Sequence, residues 1–138
     1  MNTDESVMRF NSDLKSYRCA TSRGEADSAI IRMIKSARTL DDWFRVFNLP
    51  DLKADLRREA GKKILQASSA FDECREVFYS AREHNDFALM KKAILRTADL
   101  ADTFDEWRWI KSHAGRTSDL YKKAHQKLTE LKKAESGS

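Results

Sequence analysis

The chain has 138 residues, 41% of them hydrophobic and 35% charged, and a formal net charge of +4. That length supports one compact domain and excludes two independent ones of ordinary size. One proline and four glycines are too few to punctuate a many-stranded protein, and the plentiful Ala, Leu, Lys, Arg and Glu favour helix, so the expected class is all-α.

In chain order, Val7, Phe10, Leu14 and Tyr17 recur at three- and four-residue steps and predict a first helix over about 4–19. Thr21-Ser22-Arg23-Gly24 reads as a turn, and Ala26, Ala29, Ile30, Met33 and Ile34 mark a second helix. Leu40, Trp43, Val46 and Phe47 give the stripe of a third, which Leu49-Pro50-Asp51 ends because proline cannot continue a helix interior. The fourth carries Leu52, Leu56, Ala60, Ile64 and Ala67; the fifth Phe71, Cys74, Val77, Phe78 and Ala81. After a break at Glu83-His84-Asn85-Asp86, the sixth carries Leu89, Met90, Ala93, Ile94 and Ala98. Phe104, Trp107, Ile110 and Ala114 form the seventh stripe, Gly115 with Thr117-Ser118 breaks it, and Leu120, Tyr121, Ala124, Leu128 and Leu131 form the eighth. Residues 134–138 read as a flexible tail.

Three stretches resemble one another: TLDDWFRVF from Thr39, AFDECREVF from Ala70 and TFDEWRWI from Thr103. Their lead residues Leu40, Phe71 and Phe104 are 31 and 33 residues apart, and an alanine stands 11 residues before each: Ala29, Ala60 and Ala93. Ala124 continues the alanine series, whose steps are 31, 33 and 31. Such a period belongs to helical-hairpin repeats. Thr39 with Asp42, Ser69 with Asp72, and Thr103 with Glu106 are expected to cap the first helix of their hairpins, a hydroxyl accepting from a free backbone N–H while the acid favours the positive helix end. The alanine is expected to be a slot where the paired helix approaches closely. The architecture expected is about eight helices in four antiparallel hairpins, stacked as a short right-handed solenoid, with a compact helical bundle as the alternative. The hairpins span about 4–37, 38–68, 69–101 and 102–133 of a single domain, 1–133.

From Thr39 to Leu131 the chain resembles the tetratricopeptide-like class of helical-hairpin repeats. Trp43 and Trp107 take the place of that family's early tryptophan, and Ala60 with Ile64 and Ala124 with Leu128 follow its second-helix spacing of small and large residues. The family's leucine-glycine pair and closing proline are missing. The resemblance implies the architecture and a habit of binding proteins or peptides, and it assigns no ligand-contacting residue.

Little in the sequence suggests catalysis. His84, His113 and His125 have no spacing that chelates from one helical face, and no zinc or calcium pattern occurs. Cys19 and Cys74 are isolated, which favours a reducing compartment, and Cys74 replaces the repeat tryptophan as a small buried hydrophobe. The glycines form no phosphate loop, and the carboxylate pairs Asp41-Asp42 and Asp105-Glu106 recur at helix starts, where capping explains them. No catalytic, cofactor-binding or metal residue is assigned, and an enzyme is not expected.

Two features remain for partners. Trp109 and Phe44 are aromatic where sister stretches carry charge, which marks them as candidate contact residues; packing on the final helix or sealing the solenoid end is the alternative for Trp109. Arg57, Arg58, Lys62, Lys63, Lys91, Lys92, Lys122 and Lys123 form a candidate polyanion ladder on the second helices, against which stands an ordinary solvated face. The leading expectation is therefore a non-enzymatic protein- or peptide-binding module, adaptor or regulatory, and the rival is nucleic-acid binding by the ladder. No apolar run nears the ~20 residues of a membrane span, and the polar opening MNTDESVMRF does not read as a secretion signal, so a cytoplasmic location is expected. The oligomeric state is left open.

Overall fold

The computed structural model describes residues 3–136. Its elements are α1 (Thr3–Arg18), α2 (Arg23–Ser36), α3 (Leu40–Phe47), α4 (Ala54–Ala67), α5 (Phe71–Glu83), α6 (Phe87–Leu100), α7 (Phe104–His113) and α8 (Asp119–Ser136). Every element among the described residues is helical, so the all-α class is established. Each helix packs most extensively on its sequence neighbour: α1 on α2, α3 on α4, α5 on α6 and α7 on α8. The chain divides into two compact units, Met1–Ala67 and Ser68–Ser138, each holding two of these pairs.

In the first unit, Phe10 and Leu14 of α1 are buried together with Ala29, Ile30 and Met33 of α2, Val46 and Phe47 of α3, and Ala60 and Ile64 of α4. The buried Asp13 carboxylate and Ser36 hydroxyl among them are hydrogen-bonded. The Ser36 hydroxyl donates to the Asp13 carboxylate at 3.3 Å, and Arg32 Nε pairs with the other Asp13 oxygen at 3.3 Å. Thr39 and Asp42 form a reciprocal capping box on α3. The connection after α3 turns at Asp51, whose φ of 59° lies in the left-handed region that Asp and Asn tolerate best after glycine. It is tied down by the Arg23 guanidinium, which donates to the Asp51 carbonyl at 2.6 Å, and by the Tyr17 hydroxyl on the Pro50 carbonyl at 3.4 Å.

In the second unit, Phe71, Ala98, Trp107, Ile110 and Ala124 form a core against which Leu120, Leu128 and Leu131 pack. Thr103 and Glu106 form a second capping box. Asp86 caps α6, its carboxylate accepting from the Leu89 N–H at 3.1 Å, and the turn before it passes through Asn85 at φ 57°. All four spaced alanines, Ala29, Ala60, Ala93 and Ala124, are 0% exposed. Any larger side chain there would have to push helices apart, since interiors are close-packed.

Several expectations are corrected. Ser69 does not cap α5: the cap position is Ala70, which has no side-chain cap bond. Counting from Phe71 as from Leu40 and Phe104 puts Ala70 opposite Thr39 and Thr103. Ser68 compensates by accepting from the Ala70 N–H at 3.4 Å and donating to Glu73 at 2.7 Å. Phe104 is 36% exposed rather than packed. Its counterpart Phe71 is covered by the edge-on ring of Trp109 at 5.6 Å. Val7 and Ala67 are exposed, and Leu52 is buried although it precedes α4 rather than lying in it. The α8 helix runs through Ser136, past the predicted end at Lys133, and the last two residues of the predicted tail lie outside the described residues.

Candidate functional site

The second unit contains an apolar recess of about 460 Å³, within the size range of ligand pockets. Phe78 of α5 and Met90, Ile94 and Leu95 of α6 form one side; Leu120 of α8 and the α7–α8 connection form the other. The helical spacing that buries Ile94 leaves Leu95 48% exposed at the recess, and Phe87, two turns earlier on the same face of α6, is 71% exposed. Lys91, His113, Ser118 and Asp119 are its polar lining. Ser118 is held in place: its hydroxyl donates to the Gly115 carbonyl at 2.6 Å and accepts from the Tyr121 N–H at 3.2 Å, which satisfies one free donor at the start of α8.

An aromatic group stands behind the recess. The Trp109 indole N–H donates to the Tyr79 hydroxyl at 2.6 Å, and its ring meets Phe71 and Phe78 edge-on at 5.6 and 5.2 Å. His113 stacks on Trp109 at 4.4 Å with an interplanar angle of 26°, while its Nδ1 bonds the Trp109 carbonyl at 2.8 Å. The carbonyl can only accept, so Nδ1 carries a proton. The Arg82 guanidinium lies 4.9 Å from the Tyr79 ring centre. The rings packed around Trp109 are Phe71, Phe78 and Tyr79 of α5 and His113 of α7. Each edge-to-face contact of this kind adds about 0.5–1.5 kcal/mol beyond burial. Phe44, on α3 in the other unit, is half-buried and makes no ring contact among the described residues.

The basic residues separate into two groups. Lys62, Lys63, Lys91, Lys92, Lys122 and Lys123 are exposed, and among the described residues none pairs with a carboxylate; Lys123 instead lies 5.9 Å from the Trp107 ring centre. Arg58 is exposed as well. Arg57 departs from the ladder. It is 9% exposed and its buried Nε has no hydrogen-bond partner among the described residues. Counted back from the spaced alanine, Arg57 takes the place of half-buried Met90 and Tyr121, whereas Arg58 takes that of Lys91 and Lys122. That register was readable from the sequence.

No group of three or more His, Cys, Asp or Glu side chains among the described residues is placed to hold a metal ion. His84 caps α5, its Nδ1 bonding the Ser80 carbonyl at 2.9 Å, and His125 bonds Lys111 Nζ at 3.0 Å. Cys74 is buried, and burial pushes its thiol pKa up against the lowering effect of the Ser68 hydroxyl. Cys19 is exposed. Asp42 and Glu106 are occupied as cap acceptors: Glu106 takes the N–H groups of Asp102 and Thr103 at 2.9 and 3.2 Å. Among the described residues no helix is long and apolar enough to cross a membrane. No family model, curated protein or solved structure matches the chain.

Proposed function

We propose that the chain is a non-enzymatic binding module built from stacked helical hairpins, tetratricopeptide-like in kind, which holds a segment of another protein as a cytoplasmic adaptor or regulator. The observation that carries this reading is the recess of the second unit, where apolar side chains of three helices converge and Leu95 stays exposed beside them. Large exposed apolar groups beside a concave surface are the usual mark of a partner site. The hairpin stacking is supported by recurrence. The buried alanines and the capping boxes fall at matched positions: Thr39 and Thr103, Trp43 and Trp107, Ala29 and Ala93, and Ala60 and Ala124 are each 64 residues apart. A solenoid interior needs such uniform close contacts. The test is capture from a nuclease-treated lysate with the native chain and a Leu95→Asp variant. Loss of one captured protein with unchanged helicity supports the recess as the site; capture that ignores Leu95→Asp removes it.

A second reading, nucleic-acid binding, is favoured by the six exposed lysines without carboxylate partners. It requires retention on a polyanion that falls steeply with salt and falls further when Lys91, Lys92, Lys122 and Lys123 are replaced by glutamine. Absence of retention at ~50 mM salt sets it aside.

A further inference from the structure

The first unit holds a different recess, of about 700 Å³. One wall is a face of α1: Asn11, Leu14, Lys15 and Arg18 follow one another at helical intervals, with Tyr17 beside them. The opposite wall is Arg45 of α3 with Leu49 and Pro50 of the connection that follows. The Tyr17 hydroxyl donates across the two walls to the Pro50 carbonyl at 3.4 Å. Among the described residues the lining of the recess contains three cations and no acid. Lys15 and Arg18 are exposed and pair with no carboxylate among the described residues, and Arg45 has only its solvent-exposed partner Asp41, at 3.1 Å. Exposed pairs of that kind are weak and readily exchanged for a better acceptor.

We propose that this recess docks a short peptide segment of a partner protein in which an acidic side chain stands next to a bulky apolar one. The carboxylate sits among Lys15, Arg18 and Arg45, where a charge-assisted, two-pronged bond to a guanidinium is available. The apolar neighbour covers Leu14, Leu49, Pro50 and the Tyr17 ring. The apolar share of the lining separates a peptide from a nucleic-acid backbone. A phosphate track needs a line of cations along a groove, whereas here the three cations border a recess whose lining also includes Leu14, Tyr17, Leu49 and Pro50. This site is independent of the recess in the second unit, and the two stand or fall separately.

The experiment pans a random dodecapeptide phage library on the full chain and measures binding of the synthesised consensus peptide by fluorescence anisotropy. The expected consensus places Asp or Glu beside Leu, Ile, Phe or Met. Lys15→Glu with Arg18→Glu weakens its binding by at least about tenfold, while Lys91→Glu with Lys92→Glu changes it by less than about twofold. Lys15→Gln with Arg18→Gln, which avoids placing acids at the negative end of α1, weakens binding in the same direction with circular dichroism unchanged. A library without an acidic-apolar consensus overturns the proposal. So does a consensus peptide indifferent to Lys15 and Arg18, including one that depends on Leu95 instead and therefore belongs to the other recess. Binding of an oligouridylate that these variants abolish, with no competition by any peptide, overturns it in favour of a phosphate site.

Discussion

Arg57 shows how much a single position can depend on its register. A cation at 9% exposure whose Nε lacks a partner is unfavourable, because the charge loses water without an equal replacement. The equivalent position carries methionine in the third hairpin, Met90. Arg57→Met should therefore raise stability by about 1 kcal/mol, read as an upward shift of the urea midpoint with unchanged slope. A lower midpoint would mean that the guanidinium is well satisfied in solution. Trp109 makes the opposite point. Its sister positions Arg45 and Glu76 are polar, which left it open as a contact residue or a packed one; its indole N–H, its edge contacts to Phe71 and Phe78 and the stacked His113 all lie within the second unit. Alanine at Trp109 therefore disturbs packing as well as any contact surface, and loss of binding there would not identify a site. Leu95 and the lysines are better probes because they are exposed.

Helix termini carry much of the local specification. Both capping boxes follow directly from Thr-x-x-acid at the start of an apolar stripe, and both form. The start of α5 departs from that pattern: the register set by Phe71 puts Ala70 at the cap position, and Ser69 lies one residue too early. The box on α7 makes a testable contribution to acid sensitivity. Burial raises the Glu106 pKa, but the N–H groups of Asp102 and Thr103 outweigh that effect and hold it below the usual carboxylate value. A group lowered in the folded state adds stability above the unfolded carboxylate range and loses it as pH falls through the lowered folded value. Glu106→Gln should thus be less stable than the native chain near neutrality, and the gap should close on acidification below the ordinary carboxylate pKa. Urea midpoints at a series of pH values measure this; a constant gap would show that the interaction is not ionic.

At the scale of the whole molecule, each unit contributes buried residues from its four helices: Phe10, Met33, Val46 and Ile64 in one, and Phe71, Ala98, Ile110 and Ala124 in the other. Different parts of a structure open locally with different free energies. Ile110→Ala removes a fully buried side chain and should cost about 2–5 kcal/mol, expressed as faster amide exchange across α5–α8 than across α1–α4. Equal acceleration in both halves would show that they unfold as one cooperative body.

The helices and their breaks were legible because their causes are local. Apolar intervals, Thr-initiated caps, Pro50 and the Asn85-Asp86 turn act over a few residues, and the spaced alanines announced their burial through recurrence alone. The two recesses were not legible, nor were the packing of Trp109 on α5 and the exposure of Phe104. Those depend on which helix faces meet at which height, and periodicity specifies a face without naming the residue that covers it. Only the packed chain brings Lys15 and Arg18 across from Arg45, or Leu95 beside Leu120, because these neighbours are separated by 25 or more residues in sequence and no local rule links them.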